Sequence, residues 1–305
     1  VGSGHYHRSG YIEGEAEKMR RFVAGIMVLS AGLLLFALPQ AGPAADGASI
    51  VVVHPDPVGQ GDIVKVVVQA SGAATSGTIK IAGRSFMGFP TGGLVIFYAG
   101  IDLDAEPSAI VIEAKVGGLE GEHETRVLAK SFGRESLKVS PAYTDLDEKT
   151  LARVQAEKQR LTDIWNTSTP RRLWGKSFVK PAAGSLGSPF GLRRFFNGQP
   201  RSPHSGLDIR AQAGSAVYAS NSGRVVLADD LFFTGNTVVI DHGLGLYTIY
   251  AHLSRVYVEA GQDIDRSQLM GRVGATGRVT GPHLHWAVKL GGARVDPAGL
   301  PGILL

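Results

Sequence analysis

Beyond residue 50 the chain is a succession of short runs rich in β-branched and aromatic residues, cut apart by glycine and proline at close intervals. Runs of this length and composition form strands, and they fall into two sets with one helical stretch between them, so most of the chain is confined to β architecture. The first set covers residues 50–53, 63–69, 77–81, 94–98, 109–116 and 124–129, parted by Pro55-Asp56-Pro57, Gly59-Gln60-Gly61, Ser71-Gly72 and Gly117-Gly118. That spacing predicts a small β-sandwich over residues 48–140. The second set covers residues 216–219, 224–228, 237–241, 246–251, 256–258, 269–273 and 285–290. It predicts an antiparallel β domain over residues 173–305, with a groove across one face.

One stretch changes period. Leu146, Leu151, Val154, Leu161, Ile164 and Trp165 recur at helical spacing, and Pro170 ends the segment. Thr144 is a candidate cap, with Asp145, Asp147 and Glu148 in the favourable first turn. Residues 144–170 are therefore expected to form a helical linker between the β domains, or to pack over the groove of the second. The run Glu157-Lys158-Gln159-Arg160 is expected on a solvated face.

A length of 305 residues suits two folded units, and 44% hydrophobic with 19% charged residues suits real cores. The formal net charge of +4 would suit an anionic polymer but is too small to argue for nucleic acid. The chain has no cysteine, which excludes disulfides, thiolate catalysis and cysteine-bound zinc. Near the N-terminus, Arg20-Arg21 precede an uncharged apolar run over residues 22–38, then Pro39 and small residues. Residues 19–47 are expected to be a signal peptide or membrane anchor, with 1–18 an upstream extension. Either form places the rest outside the cytoplasm, in the periplasm, the cell envelope or the medium. Membrane attachment would follow only if the segment is not cleaved.

The chemistry concentrates in two motifs, His204-Ser205-Gly206-Leu207-Asp208 and His283-Leu284-His285. Alternate residues on a strand face the same side, so the second motif sets two imidazoles side by side. One can hold a metal while its neighbour works on what the metal holds. Two histidines and one aspartate make a sensible zinc set, and three protein ligands leave the fourth tetrahedral position open. A metal-activated water needs a base, and an imidazole titrating near neutrality is suited to that work.

Together with Ser188-Pro189-Phe190-Gly191, Tyr250-Ala251-His252-Leu253 and Thr280-Gly281-Pro282, these motifs resemble the lysostaphin/LytM-type zinc endopeptidases. The resemblance covers residues 178–297. It implies that His204, Asp208 and His285 hold one zinc ion, and that His252 and His283 line the site without binding it. His252 is expected to be the general base and His283 to orient or to stabilise the oxyanion, although the two roles could be exchanged. It further implies an antiparallel LytM-type peptidase domain and, for the first module, an immunoglobulin-like sandwich. Asn197, Arg193 and Arg194 are expected substrate contacts; surface positions for the two arginines weigh about equally. Of each pair, Phe195-Phe196 and Phe232-Phe233, one ring could wall the groove and one pack the core. His242 is expected to be structural, and Asp229-Asp230, His54 and His123 to be solvated.

The expected activity is zinc-dependent hydrolysis of stem or cross-bridge peptides in bacterial peptidoglycan. The alternative is a catalytically dead wall-binding module that activates an amidase. The full set of five site residues counts against it.

Overall fold

The computed structural model describes residues 48–69, 76–138 and 146–302. The segments 1–18 and 19–47, the Ser71-Gly72 turn, Thr144 and Asp145 lie outside the described residues. Among the described residues, no helix is long and apolar enough to cross a membrane.

The first module holds β1 (Ser49–His54), β2 (Val58–Gly59), β3 (Ile63–Gln69), β4 (Gly77–Ile81), β5 (Arg84–Met87), β6 (Phe89–Thr91), β7 (Leu94–Gly100), β8 (Ala109–Val116) and β9 (Leu119–Leu128). Two sheets result, in the orders β1-β3-β7-β6 and β2-β9-β8-β4-β5. Alternation fixes which side chains turn inward: Ile112, Ala114 and Val116 of β8 are buried while Val111 and Lys115 are exposed. β9 begins five residues before the expected start, because Leu119 to His123 are mostly polar and carry no apolar signal.

The described residues pack as one compact unit. A single buried cluster runs from Val66, Phe97 and Ile101 to Trp174, Leu290, Val295 and Leu300. Phe89 and Tyr98 meet Trp174 at ring separations of 6.1 and 6.4 Å, and Trp174 passes the contact on to Phe178 at 6.0 Å. A Cβ at Gly100 would lie 2.7 Å from the Leu290 carbonyl, so only glycine fits where the two parts touch. Arg294 binds Asp102 at 2.5 Å and Asp104 at 2.9 Å. Burial acts to raise the Asp102 carboxyl, but the Arg294 guanidinium and backbone amides outweigh it and hold the group down at about 2. The first module is thus fused to the second by core and ion pairs.

The second part carries β10 (Arg134–Leu137), α1 (Glu148–Trp165), β11 (Ser185–Leu186), β12 (Arg193–Phe196), β13 (Gln199–Pro200), β14 (Gly206–Arg210), β15 (Ala216–Tyr218), β16 (Gly223–Leu231), β17 (Gly235–Asp241), β18 (Leu246–Val256), β19 (Asp263–Ile264), β20 (Leu269–Val273), β21 (Leu284–Leu290) and β22 (Ala293–Val295). The main sheet runs β11-β14-β21-β18-β17-β16-β19, with β15 and β20 pairing off it and β22 on β21. The expected strand at 246–251 is the first part of one long β18 that ends at Val256, and residues 257 and 258 of the next expected strand lie outside it.

The cap of α1 is Asp147, whose carboxylate accepts the Thr150 amide at 2.7 Å. Leu161, Ile164 and Trp165 pack on Leu227, Leu231, Val239 and Tyr247. Trp165 meets the Tyr247 ring edge-on at 5.1 Å, and the Tyr247 hydroxyl donates to the Ile164 carbonyl at 2.9 Å. The run Glu157 to Arg160 is not simply solvated: Glu157 accepts the Phe232 amide at 2.9 Å, and Arg160 pairs with Asp229 at 2.8 Å. Asp230 likewise pairs with Arg153 at 3.0 Å, so Asp229-Asp230 dock the helix. Helical periodicity finds the apolar stripe of such a helix but not its ionic partners some seventy residues away.

The register shows which face the helix covers. Tyr247 lies opposite Lys289, Ile249 opposite Ala287 and Ala251 opposite His285; Asp208 pairs with His285 from the other side. Directly paired residues share a face, so α1 packs on the face that bears Asp208 and His285. It meets that face about four residues along β21, roughly 13 Å at strand spacing.

Candidate metal centre

Three donor atoms converge on that face. His204 Nε2 lies 2.9 Å from His285 Nδ1 and 3.0 Å from Asp208 Oδ1, and His285 Nδ1 lies 3.1 Å from Asp208 Oδ1. These edges make a nearly equilateral triangle. Zinc bonds of about 2.0–2.1 Å would set tetrahedral edges of roughly 3.3 Å, a slight expansion of what is present. Two imidazoles and one carboxylate are borderline and hard donors of the type zinc takes, so the residues fit that ion.

Each donor is held from behind. His204 Nδ1 donates to the Pro189 carbonyl at 2.8 Å, which leaves Nε2 with its lone pair toward the triangle. Asp208 sits on β14 directly opposite His285 on β21. Gly206 lies beneath: a Cβ there would come within 2.7 Å of the His285 ring, so any side chain would displace that imidazole. Burial acts to raise the Asp208 carboxyl, but the His204 and His285 imidazoles set against it prevail and hold it well below the usual carboxylate range. Burial pushes the His285 imidazole down, against the pull of Asp208.

Two further imidazoles stand beside the triangle. The His283 and His252 rings lie 4.9 Å apart, and His252 lies 5.9 Å from His285. Strand alternation alone would turn His252 away from Ala251 and His285. The backbone corrects this: His252 has φ of 63°, and the register against β17 slips between Asn236 and Val238, so an extra residue of β18 bulges here. Such a bulge re-aims a side chain, a feature that hydrophobic patterning does not show. His252 Nδ1 then donates to the Thr276 carbonyl and His283 Nδ1 to the Gly281 carbonyl, both at 2.9 Å. Both therefore keep a lone pair on Nε2, and His283 Nε2 is 3.7 Å from Asp208 Oδ1. Burial, aided by the charges of His285 and His283, pushes His252 down to about 4 despite its bond to Thr276.

The remaining candidates separate. Arg193 pairs with Asp104 at 2.6 Å, and Arg194 approaches Glu135 at 3.6 Å; both contact the chain that precedes α1. Asn197 and Gly198, with φ of 51° and 82°, form the two-residue turn joining β12 to β13, so the local geometry by itself requires this Asn-Gly pair. The phenylalanine pairs divide: Phe195 lies under Arg134 at 3.8 Å, whereas Phe196 and Phe233 both approach Arg278, the latter at 4.3 Å. His123 is not simply solvated, since its Nε2 lies 2.8 Å from Asp56 Oδ2. His54 is exposed.

His242 is fully buried, between the Ser222 carbonyl at 2.8 Å and the Thr248 hydroxyl at 2.7 Å, with Phe178 edge-on at 5.0 Å. Burial pushes its imidazole down to about 4. A histidine depressed in the folded state gives its full stabilisation above the unfolded value near 6.5 and loses it as pH falls toward 4. That loss is on the order of 3 kcal/mol. Thermal unfolding of the wild type should thus show a steeper decline between pH 7 and pH 4.5 than His242→Gln; parallel declines would disprove the assignment.

A model of peptidase family M23 matches residues 202–297. Peptidoglycan DD-endopeptidase ShyA of Vibrio cholerae is 45% identical over 94 residues, covering 31% of this chain and 22% of that protein. DD-carboxypeptidase/endopeptidase Mpg of Neisseria meningitidis is 36% identical over 115 residues, covering 38% of this chain and 26% of that protein. The chain thus spans about a quarter or less of these curated relatives. A crystal structure of a putative peptidase M23 from Pseudomonas aeruginosa superposes with a TM-score of 0.65 at 32% identity, covering 81% of this chain and 95% of the other.

Proposed function

Since the chain belongs to peptidase family M23, we propose that it is a zinc-dependent endopeptidase that hydrolyses peptide cross-links of bacterial peptidoglycan. The observation that carries this is the triangle of His204, Asp208 and His285 with donor separations of 2.9–3.1 Å, flanked by two imidazoles with free Nε2 lone pairs. The names of the relatives, peptidoglycan DD-endopeptidase and DD-carboxypeptidase/endopeptidase, support the substrate class.

Zinc bound by these three residues would supply Lewis acidity toward the attacking water and the scissile carbonyl. His252 takes the proton of the attacking water on Nε2, because its Nδ1 proton is committed to Thr276. The same proton then passes to the amine nitrogen as the carbon–nitrogen bond breaks, so the base becomes the acid. His283, anchored on Gly281, orients the carbonyl or donates to its oxygen once protonated. In this reading residues 48–140 are an immunoglobulin-like sandwich, 144–170 a helical linker and 173–305 the peptidase domain. Asn197, Arg193 and Arg194 remain candidate substrate contacts. A peptidoglycan substrate places the chain in the periplasm or cell envelope, in keeping with an export segment at 19–47.

Zinc content and clearing of a cell-wall suspension, each with and without chelator, test the proposal together. One zinc per chain and chelator-sensitive release of peptide products are expected. Bound zinc without cleavage of any wall or muropeptide would overturn it in favour of a non-catalytic activator.

A further inference from the structure

A groove of about 640 Å³ opens beside the metal triangle. One wall is built from Gly187, Ser188, Asp208, Arg210 and Gln212, the other from residues 280–283 ending in His283. Asp208 and Arg210 are two apart on β14, so their side chains leave the same face. Gly187 packs against both: a Cβ there would lie 3.2 Å from Asp208 Cβ and 3.3 Å from Arg210 Cγ. The stem of Arg210 therefore runs alongside Asp208, and the residue lines the groove.

Arg210 differs from several other arginines of the chain in charge compensation. Arg193 faces Asp104, Arg194 faces Glu135 and Arg294 faces Asp102 and Asp104. Among the described residues, the Arg210 guanidinium has no carboxylate within ion-pair distance, and residue 210 is exposed. The one carboxylate lining the groove near the centre, Asp208, is already engaged by His204 and His285. A planar cation with five donors and no acceptor of its own suits bidentate recognition of a carboxylate.

We propose that Arg210 is the specificity-determining cation of this groove, where it holds a free carboxylate of the cross-link peptide close to the scissile amide. This rests on the peptidase reading above. Two residues of strand are roughly 7 Å, so the anchored carboxylate stands within one or two residues of the bond that is cut. The preferred substrates are then cross-links that carry an α- or side-chain carboxylate at that distance. Cross-links whose carboxylates are amidated, and bridges built only of neutral residues, are poor ones.

The test uses two synthetic cross-linked peptides, identical except that the carboxylate beside the scissile amide is free in one and a carboxamide in the other. Zinc-loaded wild type, Arg210→Gln and Arg210→Lys are compared by steady-state kinetics. Equilibrium binding of both peptides is measured on the full chain with chelator present. In the wild type, KM for the free acid is expected to be roughly tenfold to a hundredfold below that for the amide. In Arg210→Gln the two KM values converge, and Arg210→Lys recovers part of the difference. The binding constants should follow the same order, which rules out a change confined to folding. Equal binding of both peptides by the wild type, or an undiminished preference in Arg210→Gln, overturns the proposal. If no peptide is cut but the acid is still bound in preference through Arg210, the peptidase reading fails and the anion site stands.

Discussion

Asp208→Asn is expected to leave the folded protein without stoichiometric zinc and to lower peptide hydrolysis by about a thousandfold or more. Asparagine keeps the size of the side chain but removes the only anionic donor of the triangle. Two neutral imidazoles at 2.9 Å are a poor site for a divalent cation compared with the three-donor set. The metal contributes several kcal/mol of transition-state stabilisation in such enzymes, and about 1.4 kcal/mol corresponds to a factor of ten. His285→Ala should behave in the same way. Metal analysis after dialysis, beside a circular dichroism spectrum, checks the result: a variant that keeps one zinc per chain would show that Asp208 is not a ligand.

The second large effect separates chemistry from metal binding. His252→Ala should retain zinc and lose roughly a hundredfold to ten-thousandfold in kcat, the range removed with a general base. KM should change much less, because the base acts on the water rather than on the bound peptide. Residue 252 has φ of 63°, a conformation in which alanine is strained, so His252→Asn is the better control: asparagine tolerates the left-handed region. Both variants should show the same loss. Loss of zinc from either would mark His252 as a ligand, and a loss of less than tenfold would remove it from proton transfer.

The part of this site legible in the sequence is the part written in strand periodicity. The H-x-H spacing sets His283 and His285 side by side, whereas Asp208 is legible only through its H-x-x-x-D motif; it faces His285 because β14 pairs with β21 in one register. The position of His252 is different. Simple alternation would aim it at the opposite face, and only the bulge with its left-handed backbone returns it to the centre. The carbonyls that fix the tautomers, from Pro189, Thr276 and Gly281, are backbone groups with no residue-type signature. The short strands β5, β6, β12 and β14 escaped notice because three to five residues are too few to establish a period. In β14 glycine and aspartate also interrupt the apolar run. The contact between Asp102 and Arg294 spans 192 positions, beyond any local pattern.

That long-range contact bears on how such a sequence can change by recombination. The segment that matches the family runs from 202 to 297, yet Trp174, Phe178, Tyr98 and Phe97 complete the interior around it. A chimera joined at the borders of the match would bring Arg294 to a foreign surface without Asp102, and would leave Leu290 and Val295 facing water. Exchange of specificity between relatives is therefore confined to smaller grafts, such as the 280–283 loop and the end of β14, which carry the groove walls without disturbing the shared interior.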